Sequence, residues 1–130
     1  MKKPIHILHI DDDKFILDIY KPLLENEGYK VATILTPYKD LIAQITKINP
    51  ELIICDVVMP VIDGIAILKS LKADNQTKDI PFVFLTNSAE QETREEALQL
   101  GAIDYLIKAK LRPMEVVEKI KNLCINLVKN

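Results

Sequence analysis

The chain has 130 residues, enough for one domain that buries a real core without disulfides or metal staples. Hydrophobic residues make up 48%, Lys and Arg number 17 against 19 Asp and Glu, and the formal net charge is −2. These values exclude a disordered tail and a basic nucleic-acid surface, and no apolar run approaches the ~20 residues needed to cross a bilayer. Met1-Lys2-Lys3-Pro4 is basic but leads into only a short apolar run, which makes a poor signal peptide. Cys55 and Cys124 lack metal-like spacing, so the expectation is core packing in a reducing cytoplasm.

The pattern alternates strand and helix five times. His6–Ile10 reads as the first strand. Lys14–Asn26 reads as the first helix, with Phe15, Ile16, Ile19, Leu23 and Leu24 on one side, a kink at Pro22, and Gly28 as the stop. The second strand covers about 30–35. Thr36-Pro37 then reads as an N-cap with Pro at the first helical position, and the helix continues through Leu41, Ile42, Ile45 and Ile48 to Asn49-Pro50. Leu52–Cys55 is the third strand, and Gly64–Lys72 the third helix with Ile65, Leu68 and Leu71 inward. Residues 82–85 form the fourth strand. Ser88-Ala89-Glu90-Gln91 fits a capping box opening a fourth helix, which Gly101 closes. Residues 105–107 form the fifth strand. A last helix starts near Pro113 and buries Val116, Ile120, Leu123 and Leu127.

Five strand–helix units in one domain, residues 1–130, imply an α/β fold: a doubly wound, five-stranded parallel sheet flanked by five helices. The first and third strands are apolar on both faces, as expected of a sheet covered on both sides. Ligands of such sheets bind at the carboxyl ends of the strands. Asp11, Asp12, Asp56, Thr86 and Lys108 all fall just after predicted strands, so four strands deliver polar groups to one edge. At ~4 Å and an effective dielectric of ~20, two carboxylates repel by roughly 4 kcal/mol, so such a cluster calls for a cation or a shared proton. Asp13 immediately precedes the first helix and reads as its N-cap rather than a ligand. His6 and His9 differ by an odd number along a strand, face opposite sides and read as structural.

Four segments together resemble the receiver domain of two-component response regulators. They are Ile7-Leu8-His9-Ile10-Asp11-Asp12-Asp13; Leu52-Ile53-Ile54-Cys55-Asp56-Val57-Val58-Met59-Pro60 with Asp63-Gly64; Leu85-Thr86; and Gly101-Ala102-Ile103-Asp104-Tyr105-Leu106-Ile107-Lys108. The resemblance extends from about residue 5 to 128, and it implies the CheY-like, flavodoxin-like strand order 2-1-3-4-5. It also implies that Asp56 is the phosphoacceptor, taking a phosphoryl group from a phosphohistidine on a sensor histidine kinase or a histidine phosphotransfer protein. Asp11, Asp12, Asp56 and the backbone carbonyl of Val58 are then the Mg²⁺ ligands. Lys108 pairs with the phosphoryl oxygens and Thr86 donates its hydroxyl to them. Tyr105 fills the space that Thr86 leaves as it moves toward the phosphate. The fourth helix, fifth strand and fifth helix report the change to a downstream target or output domain, or form a homodimer. The chain is thus expected to be a stoichiometric phosphoacceptor that assists its own phosphorylation and dephosphorylation, not an enzyme.

The plainer readings are a turn cap for Asp56, a snorkelling lysine for Lys108, and a static strand aromatic for Tyr105. The chain also departs from the family pattern. Ala109 follows Lys108 where Pro is usual, which removes the reason for a cis peptide bond there. Asn87 stands where a small residue is usual and narrows access to the phosphate. Val58, two residues past Asp56, cannot orient a water molecule, and slow self-dephosphorylation is the expectation. The rival reading is a Mg²⁺-dependent phosphatase of haloacid dehalogenase type. It needs an acid two residues after the nucleophile, a place held by Val58 after Asp56 but by Asp13 after Asp11. A flavin-binding reading lacks a phosphate-cradling loop, because Asp11-Asp12-Asp13 has the wrong charge. A degenerate receiver used only for binding is disfavoured by the intact acidic, Thr and Lys positions.

Overall fold

The computed structural model describes residues 3–35, 37 and 40–129. Its elements are β1 (His6–Ile10), α1 (Lys14–Asn26), β2 (Lys30–Ile34), α2 (Leu41–Ile48), β3 (Leu52–Cys55), α3 (Gly64–Lys72), β4 (Phe82–Thr86), α4 (Gln91–Gln99), β5 (Asp104–Ile107) and α5 (Pro113–Lys129), with a 3-10 turn at Lys108–Lys110. The five strands form one parallel sheet in the order β2-β1-β3-β4-β5. Side-chain alternation divides the core between its two faces. Leu8, Ile10, Ile53, Cys55, Phe82, Phe84 and Tyr105 pack with α2, α3 and α4. Ile7, Leu52, Ile54, Val83, Leu85 and Leu106 pack with α1 and α5. The central strands are buried on both faces, which is why their sequences are apolar runs rather than alternations.

Local chemistry explains most of the boundaries. The Asp13 side chain accepts the Phe15 N–H at 2.9 Å and caps α1, and Asp63 accepts the Ala66 N–H at 2.8 Å and caps α3. Gly28 and Gly101 close α1 and α4 at φ +96 and +107, where a side chain would be strained. Helix α1 runs through Pro22 without interruption.

Four expectations are corrected. Phe15 is not inward but 71% exposed, because the helical period places Leu17, Tyr20 and Leu24 on the buried stripe and Phe15 off it. Pro37 does not open α2, which starts at Leu41 after Asp40 in a left-handed conformation; the expected Thr36 cap lies outside the described residues. Ser88 does not cap α4, which begins at Gln91 after Glu90 with no side-chain cap; the Ser88 backbone is instead bonded locally to the Thr86 hydroxyl and across the fold to the Tyr105 hydroxyl. Leu123 and Leu127 are only partly buried on α5, where Val117 and Cys124 are fully covered instead.

Candidate functional site at the carboxyl edge of the sheet

β1 and β3 are neighbours, with Ile10 opposite Cys55, so the residues that follow them must meet. The Asp56 N–H donates to the Ile10 carbonyl at 3.1 Å, and the Asp11 N–H donates to the Ile34 carbonyl at 3.2 Å. Both aspartates thus extend the ladder by one step, with their side chains at the strand ends. Ligand oxygens of Asp11, Asp12 and Asp56 come within 4.8 Å of one another, a spacing one divalent ion could span. Asp11 and Asp56 are buried and Asp12 is exposed.

Each carboxylate is held differently. Asp11 Oδ1 accepts the Asp13 N–H at 2.9 Å, and its Oδ2 accepts the Lys108 ammonium at 2.9 Å. Asp56 Oδ1 accepts the Val57 N–H at 2.8 Å, while its Oδ2 lies 3.6 Å from Lys108 Nζ. The Asp12 carboxyl titrates above its usual range, first because of desolvation and then because of the negative charge of Asp11. Three carboxylates face one ammonium, so the site retains an excess of negative charge, and an all-oxygen donor set of this kind suits a hard divalent cation.

Lys108 enters from the turn after β5, through a peptide bond to Ala109 that is trans. Thr86 ends β4 and is 1% exposed. Its Oγ1 accepts the Ser88 N–H at 3.2 Å, which leaves the hydroxyl proton free to be donated. The Tyr105 hydroxyl donates to the Ser88 carbonyl at 2.8 Å, and its ring lies against Phe84 at 5.8 Å. Tyr105 is buried. Asp56, Val58, Thr86, Asn87 and Ser88 line an open cleft of about 530 Å³, with the Val58 side chain 67% exposed at its rim. Among the described residues, every side chain singled out at the strand ends reaches this edge except Asp13, which is used as the α1 cap.

Two residues matter more than the sequence reading allowed. Ser88 joins Thr86 to Tyr105 through its backbone N–H and carbonyl, which carry no side-chain signal. Gly64 lets the start of α3 press on the loop that carries Asp56: its N–H donates to the Val57 carbonyl at 2.7 Å, and a Cβ there would fall on the Asp56 carbonyl oxygen. The Asp-Gly pair was visible, but a close backbone approach cannot be read from it. His9 is wholly buried edge-on to Tyr20 at 5.9 Å, and burial, reinforced by Lys108, pushes its pKa down to about 3.

Residues 7–121 match the family described as the response regulator receiver domain. Response regulator SaeR of Staphylococcus aureus is 37% identical over 124 residues, which cover 95% of this chain and 52% of that protein. The chain therefore spans about half the length of the curated relatives it matches. A CheY-like receiver domain protein from Methanospirillum hungatei superposes with a TM-score of 0.85 at 29% identity, covering 97% of this chain and 98% of that one. The chemotaxis protein CheY4 of Vibrio cholerae gives 0.81 at 27% identity, covering 92% and 98%. None of these similarities supports the phosphatase alternative. No helix among the described residues is long and apolar enough to cross a membrane. With the strand order, the acidic edge and these similarities in agreement, the chain belongs to the receiver domain family of two-component response regulators.

Proposed function

We propose that Asp56 is the phosphoacceptor of this receiver domain. One carboxylate oxygen of Asp56 attacks the phosphorus of a phosphohistidine on a donor protein. The P–N bond breaks, the imidazole keeps its electron pair, and an aspartyl phosphate forms. The observation that carries this reading is the convergence of Asp11, Asp12, Asp56 and Lys108 from three strand ends onto one point. Asp11, Asp12, Asp56 and the Val58 carbonyl would hold Mg²⁺, which supplies charge neutralisation for the incoming phosphoryl group. Asp56 is aimed by the Val57 N–H on its other oxygen, Lys108 offers a fixed positive charge beside it, and Thr86 keeps a free hydroxyl proton for a phosphoryl oxygen.

The signal leaves through the α4–β5–α5 face. Ser88 ties Thr86 to Tyr105, so a shift of the Thr86 hydroxyl toward a phosphoryl group bears on the seat of Tyr105 and on the start of α4. Helix α4 is a fitting mobile element: Ala97 is its only fully buried residue among those described, and no side chain caps its start. The donor is a sensor histidine kinase or a histidine phosphotransfer protein, and the recipient is a downstream target, an output domain or a second copy of the chain. The setting is cytoplasmic, and the chain acts as a stoichiometric acceptor rather than a turnover enzyme.

Incubation with a small phosphodonor and Mg²⁺ is expected to add one phosphate by intact mass. The adduct should vanish in Asp56→Asn and in the presence of a chelator. An adduct that survives Asp56→Asn refutes the assignment. Once formed, the phosphoprotein is expected to outlast the minutes timescale, because the exposed Val58 side chain cannot orient a hydrolytic water, and Val58→Asn should hasten its decay severalfold. Decay within minutes, with no acceleration in Val58→Asn, contradicts this role.

A further inference from the structure

Cys55 is wholly buried at the end of β3, and its thiol donates to the backbone carbonyl of Asp56 at 3.1 Å. Desolvation, and then the negative charges of Asp56 and Asp11, push the thiol pKa well up, so the sulfur keeps the proton it donates. The Asp56 carbonyl stands one residue past the strand, and no other donor to it is found among the described residues. It is also the atom that the bare Cα of Gly64 approaches. The Asp56 carbonyl and the Val57 N–H are the two ends of one planar, trans peptide unit. The N–H end of that unit donates to Asp56 Oδ1 at 2.8 Å. A rotation of the plane that takes the carbonyl off the thiol therefore also takes the N–H off the carboxylate. A thiol is a weak donor, but without it the carbonyl is left buried and unpaired. Core filling accounts for the burial of Cys55, but not for its bond to the one carbonyl whose peptide aims the carboxylate.

We propose that Cys55 is a positioning residue for Asp56: its thiol holds the Asp56–Val57 peptide in plane, and through the Val57 N–H it fixes the rotamer of the carboxylate. Its part in phosphorylation rests on reading Asp56 as the phosphoacceptor. Cys55 itself touches no phosphoryl group, and it acts only through the peptide that follows it. Gly64 limits the same peptide from the side of α3, so the plane is held by a bond and by a steric stop. Without the thiol proton the plane tilts, the Val57 N–H leaves Oδ1 for part of the time, and a smaller share of the carboxylate faces the phosphorus.

A comparison of the full parent chain with Cys55→Ala and Cys55→Ser tests this. With acetyl phosphate and Mg²⁺, Cys55→Ala is expected to be modified about three- to fivefold more slowly than the parent, the effect of one weak hydrogen bond. Cys55→Ser, which puts a hydroxyl donor in the same place, is expected to recover to within about twofold of the parent rate. The Val57 amide resonance reads the peptide directly, with no phosphate present. It is expected to move upfield and to exchange faster with solvent in Cys55→Ala, and to stay near the parent in Cys55→Ser. A packing role alone would not separate the two variants, since both remove the bulk of the sulfur. Equal rates in the parent and Cys55→Ala, or equal slowing in both variants, overturn the proposal. Should Cys55→Ala fail to fold, Cys55→Val, which fills the space without a donor, takes its place with the same expected results. A parent that takes no phosphate refutes the assignment of Asp56, and the amide still decides on the clamp: a Val57 resonance unchanged in Cys55→Ala overturns it.

Discussion

Gly64→Ala is expected to lower the thermal midpoint by roughly 10 °C and to slow phosphorylation of Asp56, although the residue has no side chain and touches no substrate. An added Cβ would fall on the Asp56 backbone carbonyl oxygen and lie 2.7 Å from Phe84 Cε1. Neither neighbour can give way. The Asp56 backbone is held by its N–H to the Ile10 carbonyl, and Phe84 is fully buried in the central sheet. Overpacking in a close-packed interior costs about 1–3 kcal/mol, and a clash with backbone belongs at or above the upper end of that range. The strain can be relieved only by backing α3 away or by tilting the Asp56 loop. The first move lengthens the 2.7 Å bond from the Gly64 N–H to the Val57 carbonyl, and the second turns the Asp56 carboxylate away from Asp11 and Lys108. Calorimetry together with the rate of modification by a small phosphodonor checks both parts. A Gly64→Ala protein with parental stability and rate would show that the approach is softer than the geometry implies.

The second large effect is on acid stability. His9 is fully buried, neither ring nitrogen has a hydrogen-bond partner among the described residues, and its pKa falls from 6.5 to about 3. Above pH 6.5 the imidazole is neutral in both folded and unfolded chains and has no linked effect. As pH drops below 6.5 the unfolded chain takes up the proton and the folded one does not, so stability is lost until the folded value near 3 is reached. At about 1.4 kcal/mol per unit, the whole window corresponds to at most about 5 kcal/mol. His9→Leu, close in volume and without a titrating group, is expected to be the more stable protein at pH 4 and to have a flatter profile between pH 6.5 and 4. Carboxylates elsewhere contribute to acid unfolding of both proteins, so the difference between the two denaturation profiles is the measurement. Parallel profiles would mean that His9 is protonated in the folded protein. His6, half-buried on the same strand, has its pKa lowered by burial and by Lys30, but it is common to both proteins and cancels.

The sequence was most informative where local chemistry and tertiary demand agree. The β1, α1, β3 and α3 boundaries follow from apolar runs, from the Asp13 and Asp63 caps and from the Gly28 stop. It failed where the tertiary structure competes for the same group. Ser88-Ala89-Glu90-Gln91 has the pattern of a capping box, yet the Ser88 N–H is taken by Thr86 and its carbonyl by Tyr105. Phe15 fits an apolar stripe, yet the stripe that α1 buries is Leu17, Tyr20 and Leu24, and Phe15 lies off it.

By itself, the order of residues determined that carboxylates, a hydroxyl and an ammonium stand at the ends of strands, because strand ends are set by where the apolar runs stop. Only the tertiary structure decided how they divide the work. The pairing of β1 with β3 brings the aspartates together, and the turn after β5 puts Lys108 nearer Asp11 than Asp56. Likewise, the missing Cβ of Gly64 admits α3 to the back of the Asp56 loop. Distances of an ångström or less separate these alternatives. Such distances depend on packing between segments far apart in the chain, which no local pattern encodes.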